Sequence, residues 1–363
     1  MPTVLVVGGA YIDELHTVPA YPAEDATLRA LSVQRRRGGN AASTSVVLKQ
    51  LVAEGCDVKW MGVLPAPGGD DDGVSYVLDS LGKDGVDTSL RELISPPPGS
   101  SERLGVPTAT IIVSAATGSR TIISSRRGLN CEVSPAWFGQ KLPEVVDNES
   151  AGWIHLETRQ YASVMELASE ARRKLGRDAP QLGTPWKKWR LSIEIEKPAI
   201  TIDEVIDLAR CADLLFVSRD WAEARGTELL EGKEESDAPM AVRVLREIAS
   251  RVATRGHVLP AAVCAWGAVG AFAVTPQVTS SPVWADSFAP ATVVDKVVDS
   301  TGAGDTFNAG VIAALTAGKS VASAIAEGCA VAGQKVQQVG FSGLAKVLTD
   351  RGTKRSRPES WPE

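Results

Sequence analysis

Between Val297 and Ala314 the chain reads Val-Val-Asp-Ser-Thr-Gly-Ala-Gly-Asp-Thr-Phe-Asn-Ala-Gly-Val-Ile-Ala-Ala. A β-branched run (Val293, Val294, Val297, Val298) leads into small turn residues and a carboxylate. A helical pattern built on Phe307, Val311, Ile312 and Leu315 follows. Gly302, Ala303 and Gly304 open that helix, so its first backbone N–H groups form a concave anion site, and the helix dipole favours phosphate there. Asp305, in the first turn, falls where a transferring phosphoryl group and an incoming hydroxyl would meet. Such a layout suits phosphoryl transfer. Read alone, a Gly-x-Gly-Asp string also serves as a tight turn whose carboxylate favours the helix start.

At 363 residues the chain accommodates one large α/β unit or two smaller ones. Its hydrophobic share of 44% and charged share of 23% are those of an ordinary soluble globular protein. A net charge of −6 argues against a nucleic-acid or anionic-membrane role. The short basic clusters Arg35–Arg37 and Lys187–Arg190 read as solvated surface, with phosphate as another partner for the first. Five cysteines, odd in number and without a Cys-x-x-Cys pair, disfavour a disulfide scaffold or zinc site. They fit reduced thiols and a cytoplasmic location. The apolar run Val4 to Ala10 is too short for a signal sequence and lacks a basic flank. No segment approaches ~18 unbroken apolar residues, so no membrane span is expected.

Thr3–Val7 reads as a buried strand ending at Gly8-Gly9, and Gly39–Val52 as a helix. Val58–Val63 reads as a second strand and Gly73–Leu81 as a second helix. Thr108–Val113 and Arg120–Ser124 form a predicted hairpin around a turn at Ala116–Ser119. With the extended segment 13–33, this hairpin (within 104–125) is expected to make a small separate sheet over one edge. Strand candidates at Trp153–Leu156, Leu191–Ile195, Leu214–Val217, Val258–Ala265 and Gly270–Val274 then alternate with helices at Tyr161–Leu175, Thr201–Arg210 and Ala241–Arg251. That alternation predicts an α/β fold with a mostly parallel sheet covered by helices. Polar stretches near Gly176–Arg190 and Glu231–Pro239 read as surface insertions, and the tail 349–363 as disordered.

Two constellations near the N-terminus suit a polyol. Asp13 follows the first strand, at the carboxyl end where open α/β sheets bind ligands. Gly38-Gly39-Asn40 opens the first helix, where paired glycines admit a hydroxyl close to the backbone. Separately, Asp13 also reads as a turn residue and Asn40 as a helix cap.

Asp299-Ser300-Thr301-Gly302-Ala303-Gly304-Asp305 resembles the C-terminal signature of the ribokinase-like (PfkB) carbohydrate kinases, with Ser300 where that family usually has Thr. Gly38-Gly39-Asn40 completes the family's two-ended layout. Further strings, in order, resemble its ketohexokinase branch over about residues 3–345. They are Gly118-Ser119-Arg120-Thr121, Trp153-Ile154-His155, Glu194-Ile195-Glu196-Lys197-Pro198, Phe216-Val217-Ser218, Val263-Cys264-Ala265-Trp266 and Gly328-Cys329-Ala330-Val331-Ala332-Gly333.

The resemblance implies a ribokinase-like three-layer sandwich over residues 1–348, with the small sheet as a lid. It implies ATP and Mg²⁺, with K⁺ a further candidate ion, and a homodimer formed through the lid. Asp305 would be the base, and Gly302, Ala303, Gly304 and Arg120 would hold phosphate. Asp305, at a helix N-terminus, is expected to keep a low pKa. Asp13, Gly39 and Asn40 would hold a ketohexose such as fructose, with Asp25 reaching the partner's sugar. Gly267 to Gly270 (with Ala268 and Val269 between), Asn308, Cys329 and Gly333 would lie at the nucleotide.

The chain departs from the branch at Ser43, where a second sugar-binding Asn is usual, and at Gly267, Ala268 and Val269, where acidic residues are usual. Ser218-Arg219-Asp220-Trp221 stands where the wider family has Asn-x-x-Glu, which leaves Glu194 and Glu196 as candidates for the metal. Those two also read as one solvated face of a strand. Two other readings remain: a kinase for ribose, another ketose or a nucleoside, and a non-catalytic sugar or nucleotide sensor on the same fold.

Overall fold

The computed structural model describes residues 2–101, 103–146, 151–176, 188–233, 236–277 and 283–346. Most of the Gly176–Arg190 insertion, residues 234–235 of the second, and the tail 349–363 lie outside these.

The first apolar run forms β1 (Thr3–Val7), and the chain then crosses to a small sheet with β2 (Tyr11–Val18) and β3 (Ser32–Gly38). Then come α1 (Asn40–Leu51), β4 (Asp57–Met61), β5 (Val63–Pro65), α2 (Asp71–Lys83), β6 (Glu92–Ile94), β7 (Thr108–Ser114) and β8 (Arg120–Ser125). The middle of the chain supplies α3 (Pro135–Val145), β9 (Gly152–Thr158), α4 (Tyr161–Leu175), β10 (Arg190–Ile195), α5 (Ile202–Ala209), β11 (Leu214–Ser218), α6 (Arg219–Leu229) and α7 (Met240–Thr254). It closes with β12 (Ala261–Ala265), β13 (Gly270–Gln277), β14 (Val283–Pro290), α8 (Ala303–Thr316) and α9 (Val321–Val336).

The large sheet runs β14-β13-β12-β11-β10-β9-β1-β4, parallel from β12 to β4 and antiparallel at the β12-β13-β14 edge. Its inner parallel strands are buried on both faces, as expected for apolar runs such as Thr3–Val7, while the edge strand β4 keeps Asp57 and Lys59 half-exposed. Alternation then divides the core. Leu5 and Val7 pack with Phe138, Leu167, Val205 and Leu245 from α3, α4, α5 and α7. Val4 and Val6 pack with Val47, Leu81, Phe307 and Ile325 from α1, α2, α8 and α9. The result is a three-layer α/β/α sandwich.

The small sheet has the order β3-β2-β7-β8 and draws on residues 11–18 and 32–38, a wider N-terminal span than 13–33. The second predicted strand is split, because Val63–Pro65 leaves the large sheet to pair with β6. The Val293–Val298 run is not a strand. β14 already occupies the sheet edge, and the Val298 and Asp299 N–H groups bond the Val336 carbonyl at the end of α9 instead (2.7 and 3.1 Å). Among the described residues, no helix is long and apolar enough to cross a membrane.

Candidate active site

Parallel strands deliver their carboxyl ends to one edge, and the first turns of α1 and α8 lie there. Gly302 caps α8 with φ 76°, a left-handed conformation that favours glycine, and no side chain caps the helix. The Ala303 N–H turns back to the Ser300 carbonyl (3.2 Å), which leaves the Gly304 and Asp305 N–H groups of this first turn for an anion. A Cβ on Gly302 would lie 2.5 Å from the Phe341 ring, so Phe341 buttresses the turn. Arg120, on β8, donates Nη1–H to Thr301 Oγ1 (2.7 Å), carrying a guanidinium from the small sheet to this turn.

At α1, Gly39 has φ 96° and sits against the Gly9 carbonyl, where a Cβ would fall 2.4 Å away. A Cβ on Gly38 would strike the Asp13 carboxylate at 2.3 Å. Asp13 lies within β2, opposite Arg36, and not in the turn after β1. Burial pushes its carboxyl up to about 6 against the pull of Arg37 and Arg36. Ser43 is buried one turn into α1.

Strand β10 links the two helix ends. Asn40 donates Nδ2–H to Glu196 (3.1 Å), just beyond the strand, and Asn308 on α8 donates to Glu194 within it (2.9 Å). Glu194 is buried, with Oε2 lacking a hydrogen-bond partner. The solvated-face reading of Glu194 therefore fails, because β10 is central and α8 covers it. Asn308 spends its amide on Glu194.

Glu157, at the end of β9, is a residue that motif reading missed. Its Oε2 accepts the Gly9 and Ala41 N–H groups (3.0 and 3.3 Å), and Arg159 pairs with Oε1 (2.6 Å). Arg159 also stacks on Tyr11 and donates to its hydroxyl (2.8 Å).

Asp305 is buried, and its pKa runs opposite to the expectation from its helix position. Burial, then the nearby Glu157 and Glu196 carboxylates, push it well above the usual range, with Arg159 and Arg37 opposing. The helix dipole does not outweigh desolvation and two like charges. The same carboxylates that hold Ala41 and Asn40 thus act on Asp305, which joins both helix ends in one cleft. Arg37 is also buried, bonded to Ser80 (3.2 Å) and not solvated.

At the other end, Gly267 (φ 58°), Ala268 and Val269 form the turn between β12 and β13, closed by Trp266 N–H to the Gly270 carbonyl (2.7 Å). Cys329 is buried under Ala289, and Gly333 accommodates Thr292 of the loop after β14. Asp25 lies in the exposed loop between β2 and β3, with φ 61°. Among the described residues, no group of three or more His, Cys, Asp or Glu side chains is arranged to hold a metal ion.

A sequence model of the pfkB family carbohydrate kinases matches residues 1–346. The chain belongs to the PfkB family. It is a carbohydrate kinase, a phosphotransferase with an alcohol acceptor. Mouse ketohexokinase is 34% identical over 342 residues, 94% of this chain and 98% of that protein. Ribokinase from Giardia lamblia superposes with a TM-score of 0.72 at 14% identity, covering 97% of this chain and 98% of that one. A nucleoside kinase from Methanocaldococcus jannaschii gives 0.68 at 18%, covering 98% and 99%. Arabidopsis thaliana ribokinase, solved with ribose and ATP, gives 0.65 at 18%, covering 96% and 97%. These solved neighbours share the fold, and the Asp305 cleft lies at the carboxyl edge of the large sheet.

Proposed function

We propose that this kinase transfers the terminal phosphoryl group of ATP to the primary hydroxyl of a ketohexose, converting D-fructose to fructose 1-phosphate. The observation that carries the reading is the buried Asp305 at an uncapped helix start, sharing Glu157 and Glu196 with the Gly39–Ala41 turn. Identity to a ketohexokinase along nearly its whole length supports a ketose acceptor.

The residues fit a nucleotide, because the start of α8 is open and Arg120 is aimed at Thr301 beside it. When bound, ATP supplies the phosphoryl group and Mg²⁺ offsets its charge. Such an ion is held mainly by phosphate and water, with one or two protein carboxylates. Glu194 and Glu196 are the nearby carboxylates for such water.

In this reading Gly302 and Gly304 offer N–H groups and Arg120 a guanidinium to the migrating charge, while Ala303, its N–H bonded to the Ser300 carbonyl, shapes the turn between them. Asp13, Gly39, Asn40 and Ser43 hold the sugar hydroxyls. Asp305 accepts the proton of the attacking hydroxyl. The Gly267–Gly270 turn lines the nucleotide, with Cys329 and Gly333 behind the purine. The small sheet acts as a lid that excludes water.

Leu31, Val33, Ile122 and Ile123 expose apolar surface on and beside the small sheet. That supports a homodimer formed through the lid, with Asp25 reaching the sugar of the second copy. Free cysteines fit a cytoplasmic enzyme. Ser43, one amide short of the branch pattern, favours a second reading in which another acceptor is preferred.

The test is ADP release with Mg²⁺-ATP and D-fructose, D-tagatose, D-ribose or adenosine, each with and without K⁺. Fructose-dependent ADP supports the proposal. ADP with another acceptor alone moves the specificity to the second reading, and no ADP with any of them refutes the fructose proposal and leaves an untested acceptor or a binding protein on the kinase fold.

A further inference from the structure

Lys335, on α9, is fully buried, yet its ammonium does not face the sheet core. Nζ donates to the Asp299 carbonyl oxygen (3.0 Å) and to Asp299 Oδ2 (3.3 Å), and it lies 5.4 Å from the centre of the Phe341 ring. Phe341 is the ring that abuts Gly302. Every one of these contacts converges on the turn that opens α8.

Asp299 is tied from further directions. Its Oδ1 accepts the Thr301 N–H (2.9 Å), and Arg36 on β3 pairs with Oδ2 (2.9 Å). Burial works against its charge, but the Thr301 N–H and Lys335 together hold the carboxyl below its ordinary range. Two cations therefore serve one carboxylate, and Arg120 adds a third at Thr301. This leaves excess positive charge around a turn whose main chain already offers N–H groups.

Burying an ammonium is costly unless it is paired and hydrogen-bonded. An apolar residue would fill the same volume under Phe341 without that cost. The return on Lys335 lies in what its ammonium holds.

We propose that Lys335 is a positioning residue for the phosphate-binding turn: its ammonium clamps Asp299 and fixes residues 299–304 in the shape that presents the first N–H groups of α8. Arg36 extends the clamp to the small sheet, so the lid and the turn are held by the same carboxylate. The inference rests on the kinase reading above for the identity of the anion, and nucleotide binding tests it without turnover.

Titration calorimetry with Mg²⁺ and the non-hydrolysable ATP analogue AMP-PNP compares the parent with Lys335→Met, which keeps the length and apolar stem. Affinity is expected to fall about 10-fold or more, because the donors lose their alignment. Lys335→Arg recovers part of it. In Lys335→Ala, ammonium chloride restores affinity about fivefold or more by entering the vacated site, and lithium chloride at equal ionic strength does not. A purely structural role would not distinguish the two salts.

Affinity within about twofold of the parent in Lys335→Met overturns the proposal. So does equal recovery of Lys335→Ala by both salts. If Lys335→Ala does not fold, Lys335→Met decides. A parent that binds the analogue but phosphorylates no acceptor refutes the acceptor reading and leaves this test standing. A parent that does not bind the analogue refutes both.

Discussion

Gly302→Ala and Gly304→Ala, two residues apart in the same turn, should have opposite effects on stability. At Gly302 the backbone is left-handed, which costs an L-residue about 1–2 kcal/mol. The new methyl would also sit 2.5 Å from the Phe341 ring, and forcing extra volume into packed surroundings costs a further ~1–3 kcal/mol. The sum, about 2–5 kcal/mol, is a large fraction of the ~5–15 kcal/mol that holds a domain folded. Gly304 is helical, and no heavy atom lies within 4 Å of a Cβ built there. Its replacement should leave stability unchanged or raise it by about 0.5–1 kcal/mol.

Equilibrium urea unfolding of both variants and the parent measures the contrast. Phe341→Leu in the Gly302→Ala background should return part of the loss, because it removes the steric share and leaves the backbone share. Equal stability of Gly302→Ala and the parent would refute the left-handed, Phe341-braced turn. Equal damage at both glycines would refute the stated cause.

Three other outcomes follow from the site. Between pH 3.8 and about 6 folded Asp13 keeps a proton that the unfolded chain has lost, so its contribution to stability falls as pH rises through that window. Asp13→Asn should flatten that slope in pH-dependent unfolding, while sugar affinity in the parent strengthens as pH rises through about 6. Arg120→Ala, removing a charged donor to an exposed hydroxyl, should lower kcat/KM for ATP about 10- to 100-fold and change stability by less than ~1 kcal/mol. Ser43→Asn, adding an amide in the first turn of α1, should lower KM for fructose about 3- to 10-fold in the acceptor assay, and an unchanged KM would remove Ser43 from the site.

The inner parallel strands were legible because they are short runs buried on both faces, β4 because its apolar residues alternate with charged ones, and the 302–305 turn because glycines and a carboxylate there have few other uses. α6 escaped because it is a charged helix with little apolar periodicity. α3 carried its signal, Ser134 as cap and Pro135 at the first position, but is only eleven residues long. β14 is a half-buried edge strand whose alternation is weak. Asp13, Asn40 and Asp305 could be named from local strings. Glu157 and Lys335 could not, because their work is to hold backbone groups distant in sequence, and no local pattern encodes a carboxylate that meets Gly9 across 148 positions. The upward pKa of Asp305 was hidden for the same reason, since Glu157 and Glu196 reach it only through the fold.

The most direct test of the central claim is the rate of fructose-dependent ADP formation by Asp305→Asn beside its affinity for AMP-PNP. Replacing the proposed base by an isosteric amide should lower kcat by about 10²- to 10⁴-fold, while AMP-PNP affinity stays at or above that of the parent. Turnover at the parent rate would contradict the assignment of Asp305 as the group that takes the hydroxyl proton.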